Sequence, residues 1–282
     1  MTTASAPISI PIRFHKSKWE APDLALEPFL DRVKADGFDG SEIYVADLPD
    51  SAAAISAAHE ERGLGLIAQV SSGGKDPEEH RQSFVRQLRA AAACQPLFIN
   101  AHAGSDLFSL EDNLAILRAG FDLAKTLGVS LLIETHRGRP TFSGPGTRLL
   151  LEVLPEMRIT ADLSHWMCVH ESLLHDQPEN VTLAMQRADH IHARIGFEEG
   201  PQVASPMAPD WARYRERFLE IWTGIITLRQ QNNRPFITVT PEAGPPPYMP
   251  ILPGSRSGGE DAWESNVRVQ KWLRQEWGIP TI

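Results

Sequence analysis

The chain is predicted to be an α/β protein folding as a (β/α)8 TIM barrel with an eight-stranded parallel sheet. Short apolar, β-branched runs alternate with amphipathic helical stretches eight times along the sequence. The strand runs are near-continuously apolar, as strands covered on both faces are. Carboxylate and imidazole side chains recur where those runs stop, which is where a barrel carries its chemistry. A doubly wound open sheet is the alternative, but no Gly-x-Gly-x-x-Gly follows the first strand.

The first strand is expected over 9–15 and the first helix over 26–36, with Pro28 tolerable only in its first turn. Strand two spans 40–45 and an Ala-rich helix 51–62, closed by Gly63. Strand three covers 65–70. Asp76, Pro77 and Glu79 then read as a cap, a first-position proline and a capping-box acid for a helix to Ala93. Strand four covers 97–101 and ends in His102; Ser109 caps a helix to Leu127, stopped by Gly128. Strand five, 130–133, leads through a Gly/Pro-rich loop (137–146) to a helix at 147–154. Strand six is 158–161, with a helix at 178–187; strand seven is 190–195. Asp210 caps a helix over 211–231, strand eight is 236–240, and the closing helix is 263–277. No linker, repeat or low-complexity tract divides the chain, so residues 1–282 are expected to form one domain.

The 282 residues, 42% hydrophobic, suffice for one large core. A net charge of −9, from 27 basic and 36 acidic residues, argues against a nucleic-acid surface as the main business. Two cysteines, Cys94 and Cys168, fit a reducing compartment. With no apolar run of membrane-spanning length and no signal-peptide pattern, a soluble cytoplasmic protein is expected, with no membrane partner.

The stretch Ile159–Trp166 organises the site. It carries Asp162 at a strand end and His165 three residues on. For Asp162 alone, a helix cap is an equal reading. Three other strand ends share its design: Ile133-Glu134, Ile191-His192 and Pro241-Glu242. Glu134, Asp162, His192 and Glu242 together make a divalent-metal site of oxygen and nitrogen ligands. His15, Glu42, His102, Glu134, Asp162, His192 and Glu242 are all expected at the C-terminal mouth of the barrel.

This pattern resembles the xylose-isomerase-like superfamily of metal-dependent barrels, which includes D-tagatose 3-epimerase, inosose dehydratase, 3-dehydroshikimate dehydratase and endonuclease IV. The resemblance runs from about residue 8 to residue 277 and rests on Glu134, Asp162 with His165, His190 with His192, and Glu242. It implies one bound Mn²⁺, Co²⁺ or Mg²⁺, with Zn²⁺ as a further candidate, held by Glu134, Asp162, His192 and Glu242. It implies a substrate contact from His165. The epimerases place a substrate-binding Arg six residues after the ligand His; here that position is Glu198, and Arg194 is the candidate to replace it. His102, His136, Glu42 and Trp166 complete the candidate substrate-binding set, with packing or solvation as the alternative reading of each. His15, Trp19 and Phe142 are candidates for an apolar wall.

The expected activity is that of a metal-dependent sugar, sugar-phosphate or keto-polyol isomerase or epimerase. The metal acidifies the carbon between carbonyl and hydroxyl, and Glu134 and Glu242 move protons through an enediolate. A dehydratase of a keto-polyol or keto-sugar is the alternative, and an endonuclease IV-like nuclease a lesser one. The expected partner is a small sugar or polyol, with homo-oligomerisation left open.

Overall fold

The computed structural model describes residues 8–249 and 261–280. Eight strands close in sequence order into a barrel: β1 (Ile12–Ser17), β2 (Gly40–Tyr44), β3 (Gly65–Ser71), β4 (Phe98–His102), β5 (Leu131–Glu134), β6 (Arg158–Ala161), β7 (Ala188–Ala193) and β8 (Ile237–Pro241). Closure is made by β1 and β8, paired in parallel through Ile12 and Ile237. Nine α-helices occur among the described residues: α1 (Leu26–Ala35), α2 (Ala52–Arg62), α3 (Pro77–Ala93), α4 (Leu110–Leu127), α5 (Gly144–Val153), α6 (Ser164–His170), α7 (Pro178–Arg187), α8 (Ala212–Gln231) and α9 (Ala262–Glu276). None is long and apolar enough to cross a membrane.

The helix starts follow local chemistry. Ser51, Asp76, Ser109 and Asp261 each accept a backbone N–H of the first turn through their side chains. Gly63 and Gly128 end α2 and α4 in the left-handed conformation. Strand alternation sends one set of side chains outward to a large cluster between sheet and helices, including Phe14, Ile43, Ile99, Ile133 and Ile191. The set facing the barrel interior includes a small separate apolar cluster, Ile67, Phe98 and Leu132. Above it the interior becomes polar, and that polar layer is the site.

The structure departs from the sequence reading at several places, among them β7, which runs Ala188–Ala193 and not 190–195. Strand one lies at 12–17, not 9–15, because it continues through buried polar residues. Lys16 is accommodated by a 2.9 Å ion pair with Glu20 and a 2.9 Å hydrogen bond to the Trp263 carbonyl. His15 therefore sits low in the barrel. It pairs with Gly40, the first residue of β2, and its ring fills the space beside Gly40 and Gly65, where a Cβ would lie 2.6 and 3.2 Å from Nε2. His15 belongs to the barrel floor and not the mouth. Finally, α5 begins at Gly144, where Ser143 accepts the Gly146 N–H, and α6, only seven residues long, is too short for periodicity to reveal.

Candidate metal centre

On each contributing strand the inward positions alternate, and every second residue carries a polar group. These ladders are Glu42 and Tyr44 on β2, Asn100 and His102 on β4, and His190, His192 and Arg194 along and just beyond β7. Thr238, Thr240 and Glu242 form the ladder of β8. The register places His190 opposite Thr238 and His192 opposite Thr240. Depth thus orders the site: His190 and Glu42 below, His192 and Asn100 at the middle, Glu242 and Arg194 at the top.

Four residues converge. Ligand-type atoms of Glu134, Asp162, His192 and Glu242 all lie within 4.8 Å of one another, and all four residues are buried. Nε2 of His192 is 3.0 and 3.1 Å from the two Glu42 oxygens. Its other nitrogen, Nδ1, is 2.7 Å from Glu242 Oε2 and 3.5 Å from Glu134 Oε2. Nδ1 forms no hydrogen bond of acceptable geometry. A buried imidazole held by a carboxylate on one nitrogen, with the other aimed into three carboxylates, is the arrangement of a metal-ligating histidine with its orienting partner.

The charge balance agrees. Three carboxylates face the cluster and Glu42 lies beneath; the cation among them is Arg194, whose Nε donates to Asp162 at 3.1 Å and whose Nη2 donates to Glu242 at 2.7 Å. Burial pushes the Asp162 carboxyl up to about 6, against the pull of Arg194. Burial also opposes charge on His192, yet Glu242, Glu42 and Glu134 hold its imidazole well above the usual range. Glu134 is buried too, but His102 and His192 outweigh the burial and keep it well below the usual carboxylate range. The anionic donors thus recruit positive charge, as protons or as a cation. The donor set of three carboxylates and one imidazole fits a divalent ion of intermediate hardness.

Asp162 divides its two oxygens. Oδ1 accepts the Ser164 N–H at 3.1 Å and the Ser164 hydroxyl at 2.5 Å, holding the turn into α6. Oδ2 faces Arg194 and lies 3.7 Å from His165 Nε2. The capping and ligand readings of Asp162 describe different atoms of one side chain.

The other candidates take distinct places. His102 Nε2 is 2.7 Å from Glu134 Oε2, while Nδ1 meets the Tyr44 hydroxyl at 2.8 Å. His136 lines the pocket beside His102, its Nδ1 donating to the Arg137 carbonyl at 2.5 Å. His165 is buried beneath His136, ring centroids 4.0 Å apart, with neither nitrogen hydrogen-bonded. Glu42 lies under the cluster, bonded to His190, His192, Asn100 and Thr240, and does not line the pocket. Trp166 is also away from it: its indole N–H donates to the Thr141 carbonyl and its ring is core.

Three contributors were not identified as site residues from the sequence. Tyr248 stands over Arg194, 4.6 Å from guanidinium to ring centre, and packs edge-on against Trp19. Asn100 donates to both Glu42 and Glu134. Tyr44 supports His102. Asn100 and Tyr44 were detectable by the two-residue spacing, since each lies two positions from a residue already singled out.

The fold and cluster together define a TIM barrel with a candidate metal-ligand set at its C-terminal mouth. The chain belongs to the xylose isomerase-like TIM barrel family, whose sequence model matches residues 30–226. No curated protein sequence matches significantly. Among solved structures, the chain resembles the 3-keto-D-glucoside 4-epimerase of E. coli at 16% identity and a TM-score of 0.63, covering 94% of this chain and 99% of that one. It is also similar to the probable 3-DHS dehydratase of Bacillus anthracis, at 15% identity and a TM-score of 0.61, over 93% and 98% of the two chains. Endonuclease IV of Thermus thermophilus matches at 15% identity and a TM-score of 0.60, over 94% and 99%. These likenesses concern the fold.

Proposed function

We propose that the protein is a divalent-metal-dependent isomerase or epimerase of a small sugar or keto-polyol. The observation that carries this reading is His192, fixed by Glu42 and presenting Nδ1 to Glu134, Asp162 and Glu242. Those four residues would hold the ion. When bound it supplies Lewis acidity that loosens the hydrogen on carbon next to a carbonyl.

The chain's own residues supply the rest. Glu134, kept ionised by its two histidine neighbours, is a proton acceptor at the pocket wall. Glu242 lines the same pocket and is the second proton carrier, so one carboxylate removes and the other returns the hydrogen. His102 orients Glu134 and is itself held by Tyr44. Arg194 keeps Glu242 and Asp162 in place, and its Nη1, buried with no partner among the described residues, is available to a substrate oxygen. Tyr248 and Trp19 give the pocket its aromatic cover. A dehydratase would share the proton-abstraction step and differ in losing a β-hydroxyl. The acidic lining disfavours a phosphodiester, which calls for basic residues.

The test is reconstitution with Mn²⁺ followed by incubation with a panel of ketoses and keto-polyols in deuterated water. About one ion per chain and deuterium at the carbon beside the carbonyl are expected. Stoichiometric metal with no exchange from any panel member would remove the isomerase reading.

A further inference from the structure

The pocket over the metal cluster holds only about 170 Å³. That is small for a complete ligand site, since such pockets run roughly 300–1,000 Å³. Beside it, between the loops that follow β1 and β2, lies a cavity of about 570 Å³. The two share Trp19 and Tyr44 as a common wall. The two cavities therefore adjoin at those two side chains.

The walls of the larger cavity have a consistent chemistry. Trp19 and Tyr44 offer aromatic surface, and Leu24 and Leu48 add apolar edge. Trp19 is held in place from behind: Gly244 leaves room for its ring, because a Cβ there would lie 2.1 Å from Cη2. Asp47 and Asp50, both exposed, provide carboxylate acceptors at the rim. Lys18, the basic residue of the wall, is engaged elsewhere, its ammonium donating to the carbonyls of Ala21 and Pro22 at 2.8 and 3.1 Å.

We infer that this cavity receives the non-reacting ring of a neutral glycoside. On the reading of the metal centre as a sugar-converting site, on which this rests, the substrate is a two-ring sugar. Its keto-bearing ring lies over Glu134 and Glu242, and its second ring lies against Trp19 and Tyr44. A pyranose has apolar C–H faces that stack on aromatic rings and hydroxyls that donate to carboxylates. A phosphorylated or carboxylated group would instead meet Asp47 and Asp50 with the Lys18 ammonium already engaged, a like-charge encounter. Contacts to the remote ring also supply binding energy for orienting the reacting one.

Equilibrium binding to the Mn²⁺-reconstituted full chain tests this. The probes are cellobiose, maltose and trehalose against glucose and glucose 6-phosphate, measured by calorimetry. At least one disaccharide is expected to bind about 10-fold more tightly than glucose, equivalent to one hydrogen-bonded or stacked contact set. Leu48→Trp, which fills the cavity, should abolish that advantage; Pro49→Trp, at an exposed position, serves the same purpose if the first variant misfolds. All three disaccharides binding no better than glucose, glucose 6-phosphate binding best, or an advantage that survives in both variants would overturn the inference. The readout is binding and not turnover. A protein that prefers disaccharides but exchanges no hydrogen would keep this site and lose the proposed activity; exchange without the preference would do the reverse.

Discussion

Both carboxylate oxygens of Glu42 lie within 3.1 Å of Nε2 of His192. Glu42 touches no other member of the four-residue cluster through a hydrogen bond, yet it decides which imidazole nitrogen faces Glu134 and Glu242. Glu42→Gln should therefore weaken metal binding about 10- to 100-fold, the usual effect of losing a partner behind a metal ligand. Competition against a fluorescent chelator measures it, with circular dichroism to confirm the barrel. Unchanged affinity would reduce Glu42 to a structural member of the interior.

Metal binding should release protons. His192 is held protonated by Glu242, Glu42 and Glu134 against the effect of burial, and Asp162 is pushed up to about 6. Both groups must be unprotonated to act as ligands, so affinity should fall as pH is lowered, most steeply through about 6 where Asp162 takes up its proton. Calorimetric metal titrations in buffers of different ionisation enthalpy should give different apparent heats. Identical heats in all buffers would contradict the protonated resting cluster.

Glu134→Gln and Glu242→Gln should keep the shape of the pocket while removing proton transfer, lowering turnover by roughly 10²–10⁴-fold or more. One variant is expected to lose deuterium exchange altogether. The other should still wash the hydrogen out of the substrate while failing to form product. If both retain full turnover, the two glutamates only bind metal and the isomerase assignment fails.

Acid stability should depend on His15 at the barrel floor. Burial, assisted by repulsion from His190, lowers its imidazole to about 3. In the unfolded chain the group titrates near 6.5, so between those values the unfolded state binds more protons. Stability is therefore present above about pH 6.5 and is lost as pH falls toward 3, at about 1.4 kcal/mol per unit at most. In urea titrations from about pH 7 to about pH 4, His15→Gln should lose stability less steeply than the wild type. Parallel slopes would show that other groups govern acid unfolding.

The convergence of the four candidate ligands was legible because β-strands impose a period of two and a barrel collects its strand ends at one mouth. Glu134, Asp162, His192 and Glu242 each close an apolar run, and the structure brings all four together. His15 broke the pattern because β1 continues past it through Lys16, whose charge is hidden by Glu20, a partner that apolar patterning cannot show. Tyr248 was not assigned because it lies in an irregular proline-rich loop, where no periodicity fixes the direction of a side chain. Trp166 follows Asp162 closely enough to suggest the pocket, but the helical turn of α6 carries its ring into the core.

Arg139, in the loop after β5, donates to the carbonyls of Ser72 and Gly104 and to the Ser71 hydroxyl. One side chain thereby ties together the loops leaving three successive strands. Two of the three acceptors are backbone carbonyls, which no substitution can delete, so most of this clasp is insensitive to drift in the sequences it binds. The βα loops on this side are consequently free to vary in composition while keeping their spacing. The wall behind His102 and His136 can hold its position while the rim around Trp19 is remodelled for a different substrate.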